Sequence, residues 1–454
     1  MKASRAEIFE HMPIRQAVLR QALPTVASQM VALIYSLADT VVVGVLNDPR
    51  QTAAVTIMIS PFWMLTAIAN LFGIGGAGAI SQYLGKKRTK ESSQVSAFNF
   101  WAGTLSTSVF CVLFTIFERP ILSMCGASAE TYAYASEYAR YLITFGGIPT
   151  VLSLIFSHLV AAEGNALLAS VGVSMGGILN ILLDPMFVLP QFLNMGVAGA
   201  GSATALSNVI TMVYFLGYLY FQRKSTVIKI HPQNLRYAKY HFRRVLATGA
   251  PSAMQYALTV VALGAQSKFI SAYSSEAVAA FGICKKIDQF PLFFSIGISN
   301  GILPLLSYNY AAGDRDRMEK IFRFSTAVSL GAAVFFVTIF QSIPGLLAGI
   351  FIRDAETILL AEKFLRRMCL AMPFMAICYP MTIKFQAIGH PKAAMLMSLI
   401  RKGGLDIPLL FLFDRLMPLY GCTWVQPFTD TLAMIIALFI DRRIRMSYKT
   451  ELKQ

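Results

Sequence analysis

Charge is scarce in this chain. Of its 454 residues, 14% are Asp, Glu, Lys or Arg, against roughly 25% in soluble globular domains. The deficit excludes a water-soluble protein of two or three domains, whose surface would need far more ionised side chains. Histidine is also sparse. His11, His158, His231, His241 and His390 are all there are, and none stands where a catalytic triad would place it. The six cysteines, Cys111, Cys125, Cys284, Cys369, Cys378 and Cys422, form neither a CxxC pair nor a Cys/His cluster. Most lie in apolar runs, where a thiol acts as a small hydrophobe, so neither disulfides nor a metal centre are expected. Strands are not indicated, because the alternation a membrane barrel requires is missing.

What the chain has instead is oil. It is 56% hydrophobic, with 33 Phe and 21 Met and a mean hydropathy of +0.59. Apolar runs recur at about 20 residues, the length that crosses a bilayer as a helix. Reading between polar breaks gives twelve spans: 17–45, 52–83, 95–117, 132–162, 168–190 and 196–221, then 244–272, 277–310, 322–343, 356–387, 392–414 and 419–440. The expected fold is an all-α polytopic membrane protein. The leading "MKASRAEIFEHMPIRQAVLRQ" is too polar for a signal peptide, and the run after it is too long for an h-region, so the first helix is expected to persist in the mature protein.

The formal charge is +16, but the basic residues lie between spans rather than on one nucleic-acid-binding face. One side receives Lys2, Arg5, Arg15, Arg20, "GKKRTKES", the 222–244 segment, "GDRDRMEK", Lys392 and the tail "DRRIRMSYKTELKQ". The other receives Arg50, Arg119, Arg353 and Arg415. The positive-inside rule then puts both termini in the cytoplasm. Segment 222–244 carries seven Lys/Arg and no acid, which suits a linker resting on anionic lipid better than a nucleic-acid partner.

The halves echo each other. Pro24 in "ALPTVASQ" answers to Pro251 in "GAPSAMQ" after 227 residues, and Gly85 answers to Gly313 after 228. Pro149 pairs with Pro373 at 224, and Gly164 with Gly389 at 225. With six spans in each half, these are parallel repeats about an axis along the membrane normal. The expected units are a first six-helix lobe (1–221), a basic linker (222–243), a second lobe (244–440) and a tail (441–454). Two lobes around a central cavity suit a transporter. Two enzyme-like motifs fail on context. "GIGGAG" (Gly73–Gly78) lacks the strand and acid of a dinucleotide fold and fits close helix packing. "GISNG" (Gly297–Gly301) lies inside a helix without triad partners.

Ionisable groups within spans cost about 2.5–3.5 kcal/mol or more and mark functional sites. Asp39 lies inside "LIYSLADTVVVG", with Tyr35 one turn earlier on the same face. Asp184 lies in "ILNILLDPMFV", four residues after Asn180 and before Pro185, and "GVAGAGSATALSN" adds Thr204. These oxygens suit Na⁺, held by Asp39, Asn180 and Asp184, or a proton shared by two carboxylates. The second lobe does not copy the acids. Gln266 matches Asp39 and Leu409 matches Asp184, while Lys268, Lys285, Lys286, Lys384, Arg401 and Lys402 appear beside Asp288. Asp288, Gln255 and Arg401 are its polar candidates, and ion coupling is assigned to the first lobe.

Taken together, "PTVASQMVALIYSLADTVVVG", "GGILNILLDPMFV", "GVAGAGSATALSN", "AVAAFGICKKIDQFP", "SNGILPLLSYNYAAGDRDR" and "QAIGHPKAAMLMSLIRKGG" resemble the multidrug and toxic compound extrusion (MATE) family over residues 15–445. The pattern is closest to the bacterial branch with the DNA-damage-inducible F protein and staphylococcal-type multidrug exporters. The resemblance implies twelve helices in two lobes forming a V. It implies that the acid at Asp39 is essential to coupling, joined by Asn180, Asp184, Tyr35 and Thr204. Some relatives couple through an acid in span 7 or 8, for which Asp288 is the nearest candidate, although its Lys neighbours favour an ion pair. The implied activity is secondary efflux of amphipathic, mostly cationic organic compounds in exchange for H⁺ or Na⁺. No cofactor beyond that ion and no enzymatic step are expected, and the setting is a monomer in a bacterial cell membrane. A lipid-linked saccharide flippase is the competing reading, favoured by the cationic second lobe and opposed by the first-lobe acids and the span count. A receptor or scaffold would leave the repeat and its buried acids unexplained.

Overall fold

The computed structural model describes residues 7–46 and 48–451. Lys2, Arg5 and Lys453, counted among the basic ends, lie outside the described residues. The first half contains α1 (Ile14–Gly44), α2 (Pro49–Gly85), α3 (Thr89–Ile116), α4 (Glu118–Met124), α5 (Tyr132–Ala139), α6 (Gly147–Ala162), α7 (Ala166–Val188) and α8 (Val197–Phe221). The second contains α9 (Ala238–Ile270), α10 (Ser275–Ala312), α11 (Arg315–Ser342), α12 (Pro344–Gly349), α13 (Ala355–Met368), α14 (Met372–Ala387), α15 (Pro391–Leu399), α16 (Asp406–Leu416) and α17 (Gly421–Glu451). Several helices begin where a polar loop residue caps free backbone N–H groups. Ser274 accepts from Ala277 N at 3.1 Å, Asp314 from Arg317 N at 2.9 Å and Asp354 from Thr357 N at 2.8 Å. The Thr357 hydrogen bonds hold the Asp354 carboxyl below the usual carboxylate range.

Among the described residues, ten helical stretches are long and apolar enough to span a bilayer. The fourth expected span is α5 and α6, bent by 50° through the π-helical turn Arg140–Phe145. The expected span 392–414 falls on α15 and α16, joined by another π-helical turn, Ile400–Gly404; it does not count among the stretches long and apolar enough to cross, so eleven of the twelve expected spans are found among the described residues. Proline explains both breaks. Pro149 and Pro408 lack the N–H that would bond four residues back, to Phe145 and Gly404, where each π turn ends. A 3₁₀ turn at Cys369–Ala371 likewise precedes Pro373.

The repeat governs how the lobes meet. α1 packs on α10, and α2 packs on α9. A Cβ on Gly301 of α10 would sit 2.5 Å from the Ala22 Cα of α1, while one on Gly75 of α2 would meet the Val245 carbonyl of α9 and lie 3.2 Å from Gly249 N. Gly75 and Gly301 are 226 residues apart, and Ala22 and Gly249 are 227 apart. The two contacts are therefore copies of one another. The glycine-rich segments 73–78 and 297–301 are packing seams, where missing side chains let backbones approach in lipid.

Both seams lie near the basic loops. There the lobes share one apolar core, running from Val18 and Val26 through Ile298 and Leu306 to Phe322 and Met381. At the other end the second lobe forms a separate core around Phe281, Phe340, Phe364 and Val425, drawn from second-lobe residues alone. The basic end is further tied by Phe9 stacked on Tyr308 at 4.7 Å and Tyr308 Oη donating to Glu10 at 2.5 Å. Arg317 donates to the carbonyls of Phe9 and Met12 at 2.8 and 2.6 Å. Between the halves, buried Glu163 accepts from Thr226 Oγ1 at 2.9 Å and Val227 N at 2.5 Å. Ser93 and Ser96 donate to the Val227 and Lys229 carbonyls, so this part of the basic segment runs along α3.

Candidate functional site

In the first lobe, helix packing brings the predicted polar residues together. Gly176 and Gly177 let α7 approach two neighbours at once. A Cβ on Gly177 would press Val31 and Tyr35 of α1 at 2.8 and 3.1 Å, and one on Gly176 would meet Thr211 of α8. One turn later, buried Asn180 donates to Asp184 Oδ1 at 3.2 Å and to Thr204 Oγ1 at 3.1 Å. The expected shared face of Asn180 and Asp184 is thus realised, and Thr204 is the α8 contribution. Tyr35, Asn180 and Thr204 line a pocket inside the lobe, with Thr150, Ser207 and Asn208 beside Phe62 and Leu154.

Asp39 and Asp184 are both buried, at 9% and 0% exposure, and within electrostatic reach of one another. Asp39 Oδ2 accepts from Tyr138 Oη at 3.3 Å. Tyr138 did not stand out in the sequence. It is the last tyrosine of "YAYASEY" on α5, and only the bend at Phe145 aims α5 at this site. Asp39 Oδ1, Asp184 Oδ2 and Asn180 Oδ1 are buried without a hydrogen-bond partner among the described residues. An unpaired buried oxygen costs about 1–3 kcal/mol, so the site has the donor set and the unmet demand of a place for a proton or a hard cation.

The second lobe differs from its sequence-based expectation. Two of its buried cations, Arg401 and Lys384, are held by acids. Arg401 Nε donates to Asp430 Oδ1 at 2.7 Å, with both side chains 2% exposed, and its guanidinium lies 4.4 Å over the Tyr379 ring. Lys285 and Asp288 form no direct ion pair among the described residues. Gln426 stands between them, accepting from Lys285 Nζ at 2.9 Å and donating to Asp288 Oδ2 at 3.5 Å. Asp406 is buried within electrostatic reach of Lys402, Lys285 and Asp430. Lys384 is held by Glu319 at 2.8 Å and Asp441 at 2.7 Å. Asp430 carried a legible signal, a carboxylate inside the apolar run "FTDTLAMIIALF". Asp406 was masked by the adjacent Arg401 and Lys402.

Between the lobes lies a cleft with walls from α2, α9, α10, α14 and the turn at Lys402. Gln255 is on its wall. Trp63 of α2 and Tyr256 of α9 meet edge to face across it at 5.7 Å. The two first-lobe carboxylates are not part of this wall.

A family model described as MatE matches this chain twice, over residues 24–186 and 251–412. The matches begin at Pro24 and Pro251, the first landmarks of the internal repeat. The chain is 28% identical to a multidrug export protein MepA of Staphylococcus haemolyticus over 451 residues, 98% of this chain and 97% of the relative. It shares its fold with a MATE transporter solved in complex with MaL6, at TM-score 0.90 and 21% identity, over 99% and 100% of the two chains. It also shares it with an outward-facing multidrug resistance MATE transporter of the MOP superfamily, at TM-score 0.88 and 22% identity, over 99% of each chain. With an all-helical membrane fold, a doubled architecture and a family match in both halves, the chain belongs to the MatE family of transporters.

Proposed function

We propose that this protein exports amphipathic, mostly cationic organic compounds across a bacterial cell membrane in exchange for H⁺, with Na⁺ the competing coupling ion. The observation that carries the reading is the first-lobe pair of buried carboxylates, each with one oxygen left without a partner among the described residues. Entry of the ion satisfies those oxygens and removes charge from the lobe. Because Tyr35, Asn180 and Thr204 link the carboxylates to a pocket, occupancy there changes the packing of α1 against α7. A ligand moves such an equilibrium only through different affinity for the two states, so ion and substrate must bind with mutual penalty.

The charge of the loops supports cytoplasmic termini. On that orientation, the glycine seams and the Phe9–Tyr308 contact close the cytoplasmic end, and this is the outward-facing state. Opening the seams while the far ends of the lobes approach gives the inward-facing state. A single chain contains both lobes, so the working unit is the monomer, and the only small partner besides the substrate is the ion. The test uses proteoliposomes with a cationic dye and pH and Na⁺ gradients imposed separately. A pH gradient is expected to drive accumulation in the wild type and to fail with Asp39→Asn. Undiminished gradient-driven transport in that variant overturns the assignment, and a response to Na⁺ alone changes the ion.

A further inference from the structure

The interlobe cleft has a chemistry unlike that of the first-lobe pocket. Its walls carry four aromatic rings, among them Trp63, Tyr256 and Tyr379, beside amides and hydroxyls, and Lys402 is the one charged residue on them. The neighbouring cations are already engaged. Arg401 is bound to Asp430, and Lys285 to the Gln426 bridge. Lys402 makes no ion pair or hydrogen bond among the described residues. Asp288 and Asp406 offset part of its charge from behind the wall, but neither lines the cleft. On the same wall, the buried Ser299 hydroxyl has no hydrogen-bond partner.

We infer that this cleft recognises an anionic group, such as a carboxylate, on an amphipathic aromatic compound, and that Lys402 is the recognising residue. Aromatic walls with a few polar groups are the make-up of small-molecule sites. The rings supply stacking area, and the amides and Ser299 supply donors. The Lys402 ammonium is the charge that faces the cleft, while the acids that offset it lie behind the wall, so it favours an anion through a charge-assisted hydrogen bond and disfavours a cation. The substrate range therefore reaches zwitterions and anions, which this cleft favours over cations. Where it concerns transport, this rests on the efflux reading; where it concerns binding, it stands alone.

The experiment measures binding of two aromatic dyes to the purified full chain by fluorescence anisotropy: fluorescein, an anion, and ethidium, a cation. Lys402→Gln is expected to weaken fluorescein about tenfold, in line with loss of one charge-assisted contact, and to strengthen ethidium. Lys402→Arg keeps most fluorescein affinity, which separates lost charge from misfolding. Two results overturn the inference: no saturable fluorescein binding to the wild type, or a shift of both dyes in the same direction in Lys402→Gln. Uptake of the same dyes into proteoliposomes tests the transport reading separately. If binding shows the opposite shifts while no dye moves under any gradient, efflux fails and the cleft assignment survives.

Discussion

The two lobes are one fold used for opposite electrostatic purposes. The repeat offset is 225 at Gly164 and Gly389 but 226 where the family matches end, at Met186 and Leu412. The π-helical turn Ile400–Gly404 accounts for the extra residue, since such a turn adds one to a helix. At offset 226 along this helix, Asn180 is matched by Asp406, and Asp184 by Leu410 rather than Leu409. Where the first lobe has the amide of Asn180, the second has the carboxylate of Asp406, and Asp288 and Asp430 are buried near it. It then balances them with Lys285, Arg401 and Lys402. The first site is acidic with unmet oxygens, and the second is close to neutral. Shared architecture leaves each lobe free to choose its own buried charge.

The largest expected effect lies in the first lobe. Asp39→Asn is predicted to reduce gradient-driven transport by about two orders of magnitude, the upper end of coupling between sites. Adding Gln266→Asp, which copies the lost acid into the second lobe, is predicted not to restore it. Rescue by Gln266→Asp in a dye-uptake assay breaks the comparison.

Next comes the second-lobe pair. Arg401→Met leaves Asp430 buried and unpaired, at a cost of about 3–5 kcal/mol, whereas replacing both partners by apolar residues is often near neutral. Thermal unfolding of the purified protein should show a large drop for Arg401→Met and recovery for Arg401→Met with Asp430→Leu. Equal melting of all three removes the structural role assigned to the pair.

Asn180→Ala removes one donor that serves both Asp184 and Thr204. A loss of about tenfold in coupled transport is expected, with little change in melting, because each such hydrogen bond is worth roughly 1 kcal/mol. A large melting shift without a transport defect makes Asn180 a packing residue. Tyr138→Phe deletes the one donor to Asp39 among the described residues, and a two- to fivefold loss of rate is predicted, about 0.5–1 kcal/mol. No change in rate and pH profile takes Tyr138 out of the site.

Much of this arrangement was legible from local pattern. A carboxylate inside an apolar run identifies itself, and the four-residue spacing of Asn180 and Asp184 fixes a common face on any helix. The repeat was visible because prolines and glycines cannot be exchanged freely where a bend or seam needs them. Residues brought in by tertiary geometry were not visible. Tyr138 reaches Asp39 only through the bend before Pro149, and Gln426 reaches Lys285 from another helix. The π turn before Pro408 hid the true register, so the match of Asn180 to Asp406 was missed. Lys285 and Asp288 are three apart and suggest a pair, but no neighbour rule foretells an amide from α17 between them.

The central claim is that the ion is coupled in the first lobe and not in the second. It is tested most directly by dye transport into proteoliposomes under an imposed pH gradient, with Asp39→Asn and Asp288→Asn measured side by side at matched protein incorporation. The account predicts that Asp39→Asn abolishes the gradient response and Asp288→Asn retains it. Loss of the response with Asp288→Asn but not with Asp39→Asn contradicts it.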